Sequence, residues 1–182
     1  MRDLSLHILD IAENSVEAGA RRIGIRIVEN HRRDRLTLEI VDDGRGMDRA
    51  LRERARDPFF TTKKERRIGL GLPMLVRAAR AAGGTFSLSS HPGRKTKVRA
   101  MFQMSHIDRQ PLGDIAQTLA VLIAGHPDID IRYVHKVDGW AYVFDTKDLR
   151  VQLGAVSLAT PHATTLITKD IHDGLTRIRR IS

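Results

Sequence analysis

The sequence predicts an α/β sandwich: a mostly antiparallel mixed sheet with helices 4–18 and 70–82 packed on one face. Two observations lead there. Residues 4–18 and 70–82 carry apolar side chains at helical spacing, and residues 22–29, 35–42, 85–90 and 95–103 alternate as half-buried strands do. Beyond them, residues 105–182 repeat the mixture on a smaller scale. The expected organisation is a main domain over 1–104 and a small C-terminal α/β extension over 105–182, which either extends the domain or binds a partner.

Taken in order, Leu4, Leu6, Ile8, Leu9, Ile11, Ala12, Ser15 and Val16 mark the first helix, with Asp3 as its cap and Gly19 as its stop. Strands 22–29 and 35–42 flank polar residues 30–34 and form a hairpin. Asp42 to Met47 is a glycine-punctuated turn, 48–56 a short basic helix, and Pro58 to Ile68 an exposed loop. The helix over 70–82 ends at Gly83-Gly84, and strands 85–90 and 95–103 join through Pro92-Gly93. In the tail, 112–124 reads as a helix, 129–135 and 140–144 flank the hairpin signal Asp138-Gly139, and 163–180 reads as an amphipathic helix.

Composition narrows the function classes. Hydrophobic residues make up 41% and charged residues 29% of the 182, as in soluble globular chains. No apolar run approaches the ~20 residues that span a bilayer, and the N-terminus has no signal-peptide pattern, so no membrane role and a cytoplasmic location are expected. The absence of cysteine excludes disulfides, thiolate catalysis and Cys-ligated metals. The net charge of +9 comes mainly from scattered arginine, and aromatic residues are only 4%. With so little to stack on bases, the charge is a poor argument for nucleic acid.

Three separated segments carry chemistry. Asp10 and Asn14 lie four apart on the first helix and share a face; a carboxylate and a carboxamide there can orient water and ligate a hard cation such as Mg²⁺. Asp42-Asp43-Gly44-Arg45-Gly46-Met47 ends a strand, with glycines that let backbone approach a flat ligand and an Asp that can accept from an exocyclic amine. Asp57-Pro58-Phe59-Phe60-Thr61-Thr62-Lys63-Lys64 precedes Gly69-Leu70-Gly71-Leu72 at a helix start, where free amides suit phosphate. Taken alone, each segment also has an ordinary structural explanation: a solvated helix face, a strand-to-helix turn, or a surface loop anchored by Phe59 and Phe60.

In this order and at these intervals the segments resemble the Bergerat-type ATP-binding domain shared by gyrase, heat-shock chaperones, histidine kinases and mismatch-repair ATPases. Glu13 to Ala20 resembles the N box, Asp42 to Gly46 the G1 box, Asp57 to Lys63 the E-P-F-F-T-T-K stretch of histidine kinases, and Gly69 to Leu72 the G2 box, with Gly83-Gly84-Thr85 following at the family's distance. The resemblance covers about residues 4–103. It implies ATP and Mg²⁺ as ligands, with Asn14 on the metal, Asp42 on the adenine amino group, and Ala18, Gly44, Gly46 and Met47 lining the pocket. Residues 57–68 become an ATP lid that brings Phe60, Thr61, Thr62 and Lys63 to the nucleotide. Gly69, Leu70, Gly71 and Leu72 lie near the phosphates, and Thr96 also serves the phosphate end. The pattern departs at Asp10, where hydrolytic members carry a Glu; Asp10 is the candidate general base, one methylene shorter. It departs again at Lys95, where a glycine is common.

Three uses of such a domain are open. The first is a stand-alone ATPase or protein kinase in signal transduction, acting on a separate phospho-acceptor protein, because no helical hairpin carrying an acceptor His precedes the first helix. The second is a non-catalytic, ATP-gated protein-binding switch. The third is a mismatch-repair-type DNA ATPase, ranked last because the tail is short and the lid is of the kinase kind. A homodimer is compatible with each. The build also resembles, more loosely, proteins that stand beside bacterial iron-hydrogenase subunits.

Overall fold

A computed structural model describes residues 3–55 and 71–181. In chain order these form α1 (Leu4–Glu17), β1 (Arg22–Asn30), β2 (Arg35–Asp42), α2 (Arg49–Arg54), α3 (Gly71–Ala81), β3 (Thr85–Ser90), β4 (Thr96–Gln103), α4 (Ile115–Gly125), β5 (Asp130–Val137), β6 (Trp140–Asp145), α5 (Thr146–Leu153) and α6 (Pro161–Ile181). The strands make one sheet in the order β3-β4-β2-β1-β5-β6. Every pairing is antiparallel except β1 with β5. The mixed, mostly antiparallel sheet of the predicted sandwich is therefore present.

Strand alternation sets the layers. Ile23, Ile25 and Ile27 of β1 and Leu36, Leu38 and Ile40 of β2 are buried, while their neighbours along each strand are not. They meet Leu4, Ile8 and Ile11 of α1 and Leu75 and Ala79 of α3 in one core. Each large aliphatic side chain so withdrawn from water contributes about 1.5–3 kcal/mol. The Asp3 carboxylate caps α1 by accepting from the Leu6 amide at 3.1 Å, which satisfies one of the orphan donors at the helix start.

The tail joins the same layers. β5 pairs along the whole of β1 from Arg22↔Asp130 to Glu29↔Val137, and Leu119, Leu122, Ile167 and Ile171 enter the same core. The helix expected from residue 112 starts at Ile115, because Gly113 takes φ +75° and Asp114 becomes the cap, accepting from the Gln117 amide. The freed carbonyls of Pro111 and Leu112 instead accept from the Leu4 and Ser5 amides at 2.9 Å each, tying the start of the tail to the start of α1. α5 was not expected from the sequence; Asp145 caps it, and only Thr146 on it is buried.

Candidate functional site

β2 delivers Asp42 to the helix-covered face, where it is buried. Its Oδ1 accepts from the Gly44 amide at 3.0 Å, and its Oδ2 lies 2.8 Å from the Ser15 hydroxyl. Both neighbours are neutral donors. An ionised carboxylate has about four acceptor positions, so these two contacts leave room for a third donor. Ser15 reaches Asp42 because it sits on the buried stripe of α1, four residues after Ile11, whose carbonyl it also approaches at 3.1 Å.

The backbone after Asp42 passes close to its surroundings. A Cβ on Gly44 would come within 3.0 Å of the Ala18 methyl and carbonyl. Gly46 has φ +69°, and a Cβ there would sit 2.0 Å from the His91 carbonyl oxygen. No other residue fits that position without displacing the β3–β4 turn. The Arg45 amide donates to the Ala18 carbonyl at 2.9 Å, and the Arg45 carbonyl accepts from Gly93 at 2.8 Å. The turn is thus pinned between the end of α1 and the β3–β4 connection. Met47 donates its amide to Ser90 Oγ at 2.8 Å, and that oxygen lies 2.8 Å from Thr96 Oγ1.

Thr96 is paired with Asp42 across β2 and β4. It therefore stands beside Asp42, whereas the sequence motif suggested it for the phosphate end. The opposite end of the site is marked by Asp10, whose carboxylate abuts Gly71 at the start of α3: a Cβ on Gly71 would lie 2.5 Å from Asp10 Oδ2. From Asp10 to Ser15 α1 rises about 7.5 Å, which separates the two ends. Asn14 lies between them, one turn from Asp10 on the same face. Leu72 packs against the core. Phe60, Thr61, Thr62, Lys63, Gly69 and Leu70, with the rest of the expected lid over 57–68, lie outside the described residues.

Several contributing residues escaped the sequence reading. The Ser15 hydroxyl orients Asp42, Ser90 ties Met47 to Thr96, and His126 brings Nε2 to 3.0 and 3.1 Å from the two carboxylate oxygens of Glu13, next to Asn14. Ser15 and Ser90 had a detectable signal, a small polar residue at a buried register position; His126 had none. His7, also on α1, is fully buried, with Nε2 2.9 Å from Gln110 Oε1 and Nδ1 without a partner among the described residues. Burial holds its imidazole below its ordinary pKa, against the opposing pull of the Gln110 hydrogen bond.

Among the described residues no group of three or more His, Cys, Asp or Glu is placed to hold a metal ion. A cation at this site would need oxygens from a ligand. Mg²⁺ suits that arrangement, since it commonly takes one or two protein oxygens and completes its shell with phosphate and water. The Asn14 carboxamide and the Asp10 carboxylate are of the right chemistry.

Comparison with known proteins agrees with this geometry. Residues 2–106 match the family of histidine kinase-, DNA gyrase B- and HSP90-like ATPases, and the chain belongs to that family. Over 89 residues it is 39% identical to the sensor protein kinase FleS of Pseudomonas aeruginosa, covering 49% of this chain and 22% of FleS. It is 38% identical over 87 residues to the signal transduction histidine-protein kinase AtoS of Escherichia coli, covering 47% and 14%. Against the tetrathionate sensor histidine kinase TtrS of Salmonella typhimurium the figures are 33% over 81 residues, 44% and 13%. The chain thus spans less than a quarter of each of these relatives. The N-terminal domain of a DNA repair protein shares the fold, with a TM-score of 0.53 and 14% identity over 79% of this chain and 52% of that one. No helix among the described residues is long and apolar enough to cross a membrane.

Proposed function

We propose that the chain binds Mg-ATP between α1, α3 and the G1 turn, and that it acts as an ATPase or as a protein kinase whose acceptor is a separate protein. The observation that carries this reading is Asp42: a buried carboxylate held by two neutral donors, with acceptor capacity left for the adenine amino group. Gly44, Gly46, Met47 and Ala18 form the close-fitting wall beside it, and Thr96 supports Asp42 from the neighbouring strand. Asn14 holds Mg²⁺ through its carboxamide oxygen together with the phosphates. Gly71 offers α3 amides to the phosphates, with Phe60, Thr61, Thr62, Lys63, Gly69, Leu70 and Leu72 completing that end. ATP supplies the phosphoryl group; the chain positions it and neutralises its charge, which is most of what phosphoryl transfer asks of a protein. Asp10 is the proposed general base, and a cytoplasmic signalling role with a protein partner, as a monomer or homodimer, goes with this reading.

A second reading, an ATP-gated binding switch, is favoured by the contact between Glu13 and His126. It fastens the helix carrying Asn14 to the end of α4, so a shift of α1 on nucleotide binding reaches the tail. Steady-state phosphate release from Mg-ATP separates the two. Turnover lost in both Asn14→Ala and Asp10→Ala makes the chain a hydrolytic enzyme with Asp10 as base. Binding without turnover, weakened by Asn14→Ala, leaves the switch or a kinase awaiting its acceptor.

A further inference from the structure

The helices α1, α3, α4 and α6 all pack on one face of the sheet, and the side chains of the other face point to solvent. Across its middle run Arg99, Arg26 and Val134, in register on β4, β1 and β5 with Glu39 of β2 between the two arginines. Val143 of β6 continues the row and is 47% exposed. Arg26, Arg99 and Lys136 make no salt bridge among the described residues, while the acids beside them are already engaged: Glu39 by Lys97 at 2.8 Å and Asp145 by Arg132 at 3.0 Å. The face therefore offers unpaired positive charge interleaved with aliphatic side chains.

Gly24, the third residue of β1, lies on this face. The fold does not ask for a glycine there: its φ is not positive, the pairing with β2 and β5 runs through it without a bulge, and an added Cβ would meet only the Val41 carbonyl oxygen at 3.8 Å. A glycine inside a strand weakens the strand and often marks a place where another molecule approaches closely. Here it floors, with Val41, a depression of about 470 Å³ whose lining balances Arg22, Lys95, Arg132 and Lys147 against Asp42, Asp43, Asp130 and Asp145. Asp130 at its rim is held by Arg150 at 2.7 Å and Lys147 at 3.2 Å.

We propose that this open face docks a separate protein whose contact surface sets Asp and Glu against Arg26, Arg99 and Lys136, with aliphatic side chains between them packed closely over Gly24. Protein is favoured over nucleic acid because, among the described residues, the face carries no aromatic side chain on which bases could stack, while Val41, Val134 and Val143 give it apolar area for a protein surface to cover. The proposal does not depend on the nucleotide reading, since Arg26, Arg99 and Val134 lie on the face opposite the buried Asp42 side chain, although Asp42 also borders the depression.

The test is an NMR titration of the isotope-labelled full chain with a synthetic peptide repeating Glu-Glu-Val-Val. Extended, each of its faces presents Glu and Val in turn. Controls are the Lys-Lys-Val-Val peptide and a short DNA duplex. The expected result is that the acidic peptide moves the amides of Gly24, Arg26 and Val134, and that the combined Arg26→Glu and Arg99→Glu changes weaken it by about tenfold or more. Gly24→Val should also weaken the peptide while leaving thermal stability equal or higher, because a β-branched residue suits a central strand; a purely structural glycine would instead make that variant less stable. The proposal fails if the acidic peptide leaves these amides unmoved, if Gly24→Val binds it as the wild type does, if the basic peptide binds equally well, or if the duplex binds the face more tightly than the peptide.

Discussion

Two acids on the same sheet, one buried and one half-buried, are held in opposite ways. Asp42, at the end of β2, is contacted by a hydroxyl and a backbone amide, both neutral. Glu29, near the end of β1, accepts from His135 Nε2 at 2.6 Å and has Arg179 at 3.8 Å. His135 is itself fully buried, with Nδ1 2.6 Å from the Tyr133 hydroxyl, which burial keeps protonated by pushing its pKa up. Burial alone would raise the Glu29 carboxyl, but the His135 hydrogen bond and the nearby cations outweigh it and hold the group below its ordinary value. Glu29 has cationic charge beside it from Arg179 of the fold itself, and it fastens β1, β5 and α6 together. Asp42 has capacity to spare and faces a wall of glycines. An acid with a cationic partner stabilises; a buried one held by neutral donors beside a close-fitting backbone is available for a ligand.

Substitutions at the two acids should separate accordingly. Asp42→Asn keeps an oxygen for the Gly44 amide and a donor for Ser15, so thermal stability should change little. It removes the acceptor for an incoming amine, and ATP affinity by calorimetry should fall about a hundredfold, the cost of a buried polar group left unpaired. A stable variant that still binds ATP normally breaks the contrast. In the tail, Gly174 of α6 lies against Tyr142, where an added Cβ would meet the ring at 2.1 Å. Gly174→Ala should cost about 1–3 kcal/mol by overpacking, measured by urea denaturation, with ATP affinity unchanged.

Glu29→Gln should cost about 1–3 kcal/mol at neutral pH, as expected for losing a charge-assisted hydrogen bond, again without changing ATP affinity. The sign with pH is fixed by the depressed carboxyl: its contribution is complete above its ordinary pKa of 4.5 and is lost as the pH falls through the lower folded value. The wild type and Glu29→Gln should therefore converge in stability on acidification below that point. His7 should give the smallest effect. Its folded pKa lies below 6.5, so folding favours the neutral ring and stability falls as pH drops below that value. His7→Leu should flatten this part of the profile, with a change of about 1 kcal/mol or less at pH 7.5; an unchanged slope would show that His7 does not titrate in the folded protein as its burial implies.

The two regions also differ in how far the sequence revealed them. The α1–β1–β2 and α3–β3–β4 units rest on local periodicity and short turns, and their bounds fall within a residue or so of those expected. The placement of β5 beside β1 could not be read in this way, because it joins residues more than a hundred positions apart and alternation names no partner. α5 escaped because its one buried residue is Thr146, so it has no apolar stripe to detect. The close-packed turn of Asp42, Gly44 and Gly46 was legible because their spacing is itself the geometric requirement. The place of Thr96 beside Asp42 was not legible, because a motif gives order along the chain whereas that neighbourhood follows from strand register.

The most direct test of the account is competition between ATP and GTP for the wild-type chain, measured by calorimetry with Mg²⁺ present. GTP carries a carbonyl oxygen where ATP carries the amino group, so it would set an acceptor against the Asp42 carboxylate. The account predicts that ATP binds about a hundredfold more tightly than GTP and that Asp42→Asn abolishes most of the preference. Equal affinity for the two nucleotides, or a preference that survives Asp42→Asn, would contradict it.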